Sequence, residues 1–214
     1  MIQLFKGPKP QILIDFGQQW TEELMQCVRN GINIPESIKG KYRHQEIKIS
    51  VMHETNCKCA YCESHISHQY PGDIEHIIPK SKYPRLTFTW NNLSYACYWC
   101  NNHKKDYIDK NCKLLNPYKD NIGEHLRAFG PLIMHINNSK RGELTHKKIK
   151  LNRIELVERR IEALQELQNL IDKYRQETVV ALKEILYNEL LDSCLPHKEF
   201  SCCKKQYLMD QGII

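Results

Sequence analysis

The chain has 214 residues, a formal charge of +6 at pH 7 and ten cysteines. No apolar run approaches the roughly 18 residues a membrane helix needs, and Met1-Ile2-Gln3-Leu4-Phe5-Lys6-Gly7-Pro8 lacks the long apolar stretch of a secretion signal. A membrane-spanning reading is thereby excluded and the cytoplasm expected. Thiols stay reduced there, so the cysteines call for metal rather than disulfides, while the positive excess suits a polyanionic partner.

Residues 1–56 are expected to form a helical segment. After the turn at Lys6-Gly7-Pro8-Lys9-Pro10, apolar residues fall at Leu13, Phe16, Trp20, Leu24 and Cys27 or Val28, with a stop at Asn30-Gly31. A second helix is expected from Tyr42 to about Met52, with Tyr42, Ile47 and Val51 or Met52 inward. Residues 57–120 lose helical periodicity: cysteines, histidines and asparagines crowd together, and Pro71, Gly72, Pro79 and Pro84 punctuate short segments. Residues 121–214 are read as mainly helical. Loops are expected around Gly123, Gly130-Pro131 and Arg141-Gly142. From Leu151 to about Leu191 a helix is expected, with a stripe of Ile154, Val157, Ile161, Leu164, Leu167, Ile171 and Tyr174.

The middle segment is too polar to fold without a staple, and it contains one. Cys59-Ala60-Tyr61-Cys62 and Cys97-Tyr98-Trp99-Cys100 are paired C-x2-C knuckles, which together supply the four thiolates of a structural zinc site. Such a site is closed to water and serves folding rather than catalysis. Cys57 competes with Cys59 for the first position, and the Cys59/Cys62 spacing matches the second knuckle. Cys27, Cys112, Cys194, Cys202 and Cys203 are read as ordinary thiols, and His65 and His68 as surface residues.

Between and beyond the knuckles the order is Asp73-Ile74-Glu75-His76-Ile77-Ile78-Pro79-Lys80, then Trp90-Asn91-Asn92-Leu93, then Cys97 to Cys100, then Asn101-Asn102-His103-Lys104. Over roughly residues 57–107 this resembles the HNH endonuclease motif. The resemblance implies an α+β fold: a ββα-metal, treble-clef-like core with a structural four-cysteine zinc site, flanked by N- and C-terminal helical segments. It implies His76 as the general base, a task suited to a side chain with an unperturbed pKa near ~6.5. Glu75 and Asn101 would be ligands of Mg²⁺ or Mn²⁺, which take hard oxygen donors. Asn92 would tie the loop. Lys104, with Lys80 and Lys105, would contact substrate phosphates. The motif often ends in His where Asn101 stands, so His103 is the alternate ligand. In a regular strand Glu75 and His76 point to opposite faces, and Asp73 shares the face of Glu75. The strand must therefore end or bulge for Glu75 and His76 to serve one site.

Shorter matches reach outward: Lys6-Gly7-Pro8, Trp20, Lys58-Cys59-Ala60-Tyr61-Cys62-Glu63, Pro79-Lys80-Ser81, Leu115-Asn116-Pro117 and Leu151-Asn152-Arg153 with Leu156-Val157 and Arg159. In these the chain resembles the PtuB-like nucleases of Septu anti-phage systems. That resemblance implies a PtuA-like ATPase partner of the ABC/SMC type and a role in defence. Some members are attached to retrons, whose reverse transcriptase and nucleic acid would be further partners. Two other readings use the same residues: an RNA nuclease directed at transfer RNA, and an inactive zinc-stapled nucleic-acid-binding module. Intact Glu75, His76 and Asn101 argue against the latter.

Overall fold

A computed structural model describes residues 1–66 and 71–214 of the chain; His68 lies outside the described residues. Helix α1, Gln11–Arg29, starts behind Pro10 and buries Leu13, Gly17, Trp20 and Leu24. Phe16 and Val28, expected inward, are exposed, while Gly17 is buried on the inward face. Phe16 instead stacks on Trp20, with ring centroids 5.9 Å apart. The short helix α2, Glu36–Lys39, leads through a 3-10 turn at Lys41–Arg43 into α3, Gln45–Glu54. Tyr42, Ile47 and Val51 are buried as the sequence pattern requires.

The first knuckle follows α3. Strand β1, Asp73–His76, then pairs antiparallel with β2, Leu93–Ala96, in the register His76 to Leu93 and Asp73 to Ala96. Gly72 enters β1 at φ +60°, and a Cβ there would lie 2.5 Å from the Tyr95 ring, so no other residue fits without moving that ring. Helix α4, Tyr98–Lys104, begins inside the second knuckle and packs on β1. Two short strands and a helix thus hold the centre of the chain.

Beyond it, the expected loops of 121–150 are structured. Leu126–Phe129 (β3) and Leu132–His135 (β4) form a hairpin turning at Gly130-Pro131, where Gly130 takes φ +54°. Arg141-Gly142 lies inside helix α5, Lys140–Lys148, capped by Ser139. A Cβ on Gly142 would come within 2.4 Å of the His125 carbonyl oxygen, so this glycine is a close-packing residue and not a breaker. The expected long helix is two, α6, Ile154–Gln176, and α7, Val180–Ser193, and a further helix α8 covers Ser201–Asp210. The apolar stripe also turns at its N-terminal end. Leu156 and Arg160 face inward, whereas Ile154 is 63 % exposed. The Arg160 guanidinium is buried because it donates to the carbonyls of Leu151 at 2.8 Å and Pro131 at 3.2 Å.

One core gathers Leu13, Ile47, Leu93 and Tyr95 with Leu126, Ile133, Leu156 and Phe200, drawing on the N-terminal helices, the sheet, the hairpin and the C-terminal helices. A second, smaller cluster joins Leu164, Leu167 and Ile171 of α6 to Leu190 of α7 and Leu208 of α8. Among the described residues, no helix is long and apolar enough to cross a membrane.

Candidate active site

The frame of the site is a four-cysteine cluster. Cys59 and Cys62 come from the turn after α3, Cys97 caps α4, and Cys100 lies in its first turn. The four sulfurs lie within 4.8 Å of one another, and those of Cys62 and Cys97 are 3.9 Å apart. Zn–S bonds of about 2.3 Å in a tetrahedron require sulfurs about 3.8 Å apart, whereas a disulfide needs about 2.05 Å. The donor set and its spacing therefore fit zinc. Cys57 is not a member, which settles the register in favour of Cys59. Hydrogen bonds from Cys100 and Cys59 hold the Cys62 thiol well below its usual range.

Arg153, just before α6, adds a partner that sequence reasoning did not assign. Its guanidinium reaches Cys100 Sγ at 3.6 Å and Cys97 Sγ at 3.8 Å. Burial opposes its charge, but the sulfurs of Cys100 and Cys62 hold its pKa above the usual value. A cation here offsets the negative charge that four thiolates bring to a metal, and it fastens the C-terminal helices to the knuckles. Leu151-Asn152-Arg153 was visible as a motif, but its role depends on a contact across 53 residues.

β1 delivers the acid and imidazole side chains. His76 closes the strand and is 6 % exposed. Its Nε2 lies 3.0 Å from the Thr87 carbonyl oxygen, and its ring packs edge-on against Tyr42 with centroids 4.6 Å apart. A carbonyl can only accept, so Nε2 carries the proton and Nδ1 of the neutral ring is left as the acceptor. Burial, followed by the charge of nearby Lys80, lowers its pKa to about 3, against the opposing bond to Thr87. The ring is neutral at physiological pH.

Glu75 precedes His76 in the strand and is 3 % exposed. Its Oε1 receives Lys104 Nζ at 2.6 Å and the Tyr61 hydroxyl at 3.3 Å. Burial raises its pKa, with Lys104 and Tyr61 opposing. Lys104 itself is only 2 % exposed and also donates to the His76 carbonyl at 2.8 Å. Its ammonium joins the acid and the backbone of the His76 strand end and does not face solvent.

Asp73, on the Glu75 face, accepts from Asn101 Nδ2 at 3.0 Å. Asn92 is buried and holds the loop after β1 at three points: it accepts from Ile78 N at 2.8 Å and donates to the carbonyls of Ile78 at 2.9 Å and Leu86 at 3.2 Å. Because Leu86 adjoins Thr87, the same side chain fixes the carbonyl that orients His76.

These parts open on one cleft of about 640 Å³, lined by Asp73, Glu75, His76 and Asn101. Arg43, Lys48, Lys80 and Lys105 also line it. Lys80 Nζ rests 3.1 Å from the Tyr42 hydroxyl, and Lys105 is exposed. His103 is not among the lining residues; it stacks on Trp99 with centroids 6.2 Å apart. The structure thus brings Glu75, His76, Asn101, Lys80 and Lys105 to one cleft. It keeps Asn92 and Lys104 behind them, and it adds Asp73, whose only sequence signal was its shared strand face with Glu75.

A strand ending in acid-His, an asparagine-tied loop and a helix growing from a zinc knuckle define an HNH endonuclease domain, the domain of a phosphodiester-hydrolysing nuclease. The family model described as HNH endonuclease matches residues 59–107. Over most of its length the chain is also similar to the Septu protein PtuB. The protein of that name from Bacillus thuringiensis is 28 % identical over 217 residues, 94 % of this chain and 79 % of that protein. The one from Bacillus mycoides (strain KBAB4) is 31 % identical over 158 residues, 59 % of this chain and 54 % of that protein.

Proposed function

We propose that this chain is the cytoplasmic nuclease effector of a bacterial anti-phage defence system, cutting nucleic-acid phosphodiester bonds with Mg²⁺ or Mn²⁺ and acting with a PtuA-like ATPase. The observation that carries this reading is the placement of His76, tied through Nε2 to the Thr87 carbonyl and lining a cleft with lysine and arginine.

In this reading His76 Nδ1 takes the proton of the attacking water, and the Thr87 carbonyl stabilises the imidazolium that forms. Asn101 and Glu75 would hold the cation, and Asp73 would add a carboxylate beside Asn101. Oxygen donors on these three side chains are the set that Mg²⁺ prefers. When bound, the cation stabilises charge on the leaving oxygen. Lys80 and Lys105 draw the phosphate backbone to the cleft. Lys104 serves as a positioning residue that holds Glu75. The zinc frame and Arg153 keep α4 against β1.

The defence role and the ATPase rest on the similarity to PtuB. In a retron-linked system a reverse transcriptase with its nucleic acid would join the complex, and nucleic acid co-purifying with the pair tests for it. The functional test is to express the chain with a PtuA-like ATPase and challenge the cells with phage. Protection that is lost in a His76→Ala strain, with cleavage of total DNA or RNA on infection, is the expected result. Equal protection by the variant would refute the nuclease role.

A further inference from the structure

We propose that the substrate of this cleft presents unpaired nucleotides, and that Tyr98 and Trp99 form a platform on which their bases stack. The inference rests on the nuclease reading above and adds the form of nucleic acid the site takes.

The chain has three tryptophans. Trp20 and Trp90 are 8 % and 7 % exposed and pack in the core, whereas Trp99 is 56 % exposed. Tyr98 beside it is 48 % exposed. The zinc knuckle needs no aromatic residue at either position, because its ligands are Cys97 and Cys100. Leaving two large rings about half exposed forfeits part of the burial that such side chains ordinarily gain.

Their position is informative. Tyr98, Asn101 and Asn102 occupy one face of α4, as their spacing of three and four residues along a helix requires, and with Lys105, which ends the helix, they line the cleft. Tyr98 stands at the lip, and Trp99 lies one residue further round the helix. The two rings meet edge to face with centroids 5.4 Å apart. Behind Trp99, the His103 ring stacks at an interplanar angle of 29° and fixes the indole from one side. The cleft wall supplies the cations Arg43, Lys48, Lys80 and Lys105.

Cations that follow a phosphate backbone, next to solvent-facing aromatic rings, are the two components of a single-strand site. Charge complementarity settles the occupant: an apolar protein segment would gain from the rings but not from the adjoining cations, whereas a nucleotide uses both. In a duplex the base faces are covered by their neighbours, and the rings would have nothing to stack on. The scissile phosphate would therefore lie within or beside a loop, bulge, end or single-stranded stretch.

The test uses the full chain carrying His76→Ala, so that binding is read without cleavage. Tryptophan emission is followed during titration with a single-stranded deoxyoligonucleotide, a single-stranded ribooligonucleotide and a duplex, and the part due to Trp99 is taken as the difference from Trp99→Ala. Phosphorothioate strands on the unsubstituted chain provide the same reading if the variant melts early. The expected result is quenching by a single strand and little by the duplex. Adding Trp99→Ala should abolish the quenching and weaken single-strand affinity roughly tenfold, with duplex binding unchanged. Quenching by either single strand supports the proposal, and the tighter of the two identifies the backbone. Single-strand binding that neither quenches Trp99 nor weakens in Trp99→Ala overturns the platform and leaves the nuclease reading standing. Loss of ATPase co-purification in Trp99→Ala, with nucleic-acid affinity intact, reassigns the rings to a protein interface. No binding to any nucleic acid overturns both readings.

Discussion

Lys104 offers the clearest separation between a surface role and a structural one. If its ammonium met substrate phosphate, Lys104→Met would weaken substrate binding and leave the fold alone. In the structure, however, Lys104 and Glu75 are 2 % and 3 % exposed and 2.6 Å apart, and the same ammonium donates to the His76 carbonyl. Removing one partner of a buried ion pair costs about 3–5 kcal/mol, because the other charge is left without compensation. For a protein of this size each kcal/mol lowers Tm by about 2–4 °C, so Lys104→Met should melt roughly 6–20 °C below the parent. Glu75, whose pKa burial already raises, should lose its proton less readily still once Lys104 is gone. The double variant Lys104→Met/Glu75→Gln removes both charges and should regain most of the lost stability. Thermal melting of the parent, both single variants and the double variant at one pH gives the coupling directly. A Lys104→Met protein that melts within about 2 °C of the parent, a shift of under ~1 kcal/mol, would refute the buried-pair argument.

Two further outcomes follow from other contacts. The purified chain should carry one zinc, and Arg153→Ala should bind it roughly 10–100-fold more weakly, measured by competition with a chelator; unchanged zinc affinity would show that the guanidinium is incidental to the cluster. At Asp120, burial raises the carboxyl pKa, but the two Arg141 bonds at 2.9 Å and 2.6 Å, with Asn116 N–H, bring it below the ordinary value. The stability this gives is present above the unfolded pKa of about 4 and is lost as pH falls through the lower folded value. Asp120→Asn should therefore melt lower than the parent near neutral pH, with the gap narrowing below about pH 4; a gap that stays constant down to the acid limit would contradict this linkage.

The parts of the site that are local in sequence were legible, and the parts made by distant contact were not. C-x2-C spacing is itself the geometry of a knuckle, so the four cysteines of the cluster could be read directly, and Cys57 lies outside it. Asn92 was legible as a loop tie because its motif position fixes that task. Lys104 was not, since a lysine on a short helix normally reaches solvent, and only the Glu75 carboxylate on the adjoining strand explains its burial. In the C-terminal half, Arg160 interrupts an otherwise apolar face, and the two carbonyls that accept from its Nη1 come from Pro131 and Leu151, outside the helix, so spacing alone favours Ile154 and Ile161, which are exposed. The β3–β4 hairpin hid in four-residue strands whose Gly130-Pro131 turn looks like any loop. Helix α8 begins after Phe200 in a left-handed conformation, a start without a side-chain cap to announce it.

The central claim is that His76 activates water in a fold held by zinc and apolar packing. Its most direct test is the cleavage rate of the purified chain, alone and with the proposed ATPase, on single-stranded and duplex DNA and RNA with Mg²⁺, for the parent and for His76→Ala from matched preparations. The predicted result is a loss of roughly 10²–10⁴ in rate, with zinc content and nucleic-acid affinity unchanged. A His76→Ala protein that is folded, zinc-loaded and still cuts at the parent rate would contradict the account.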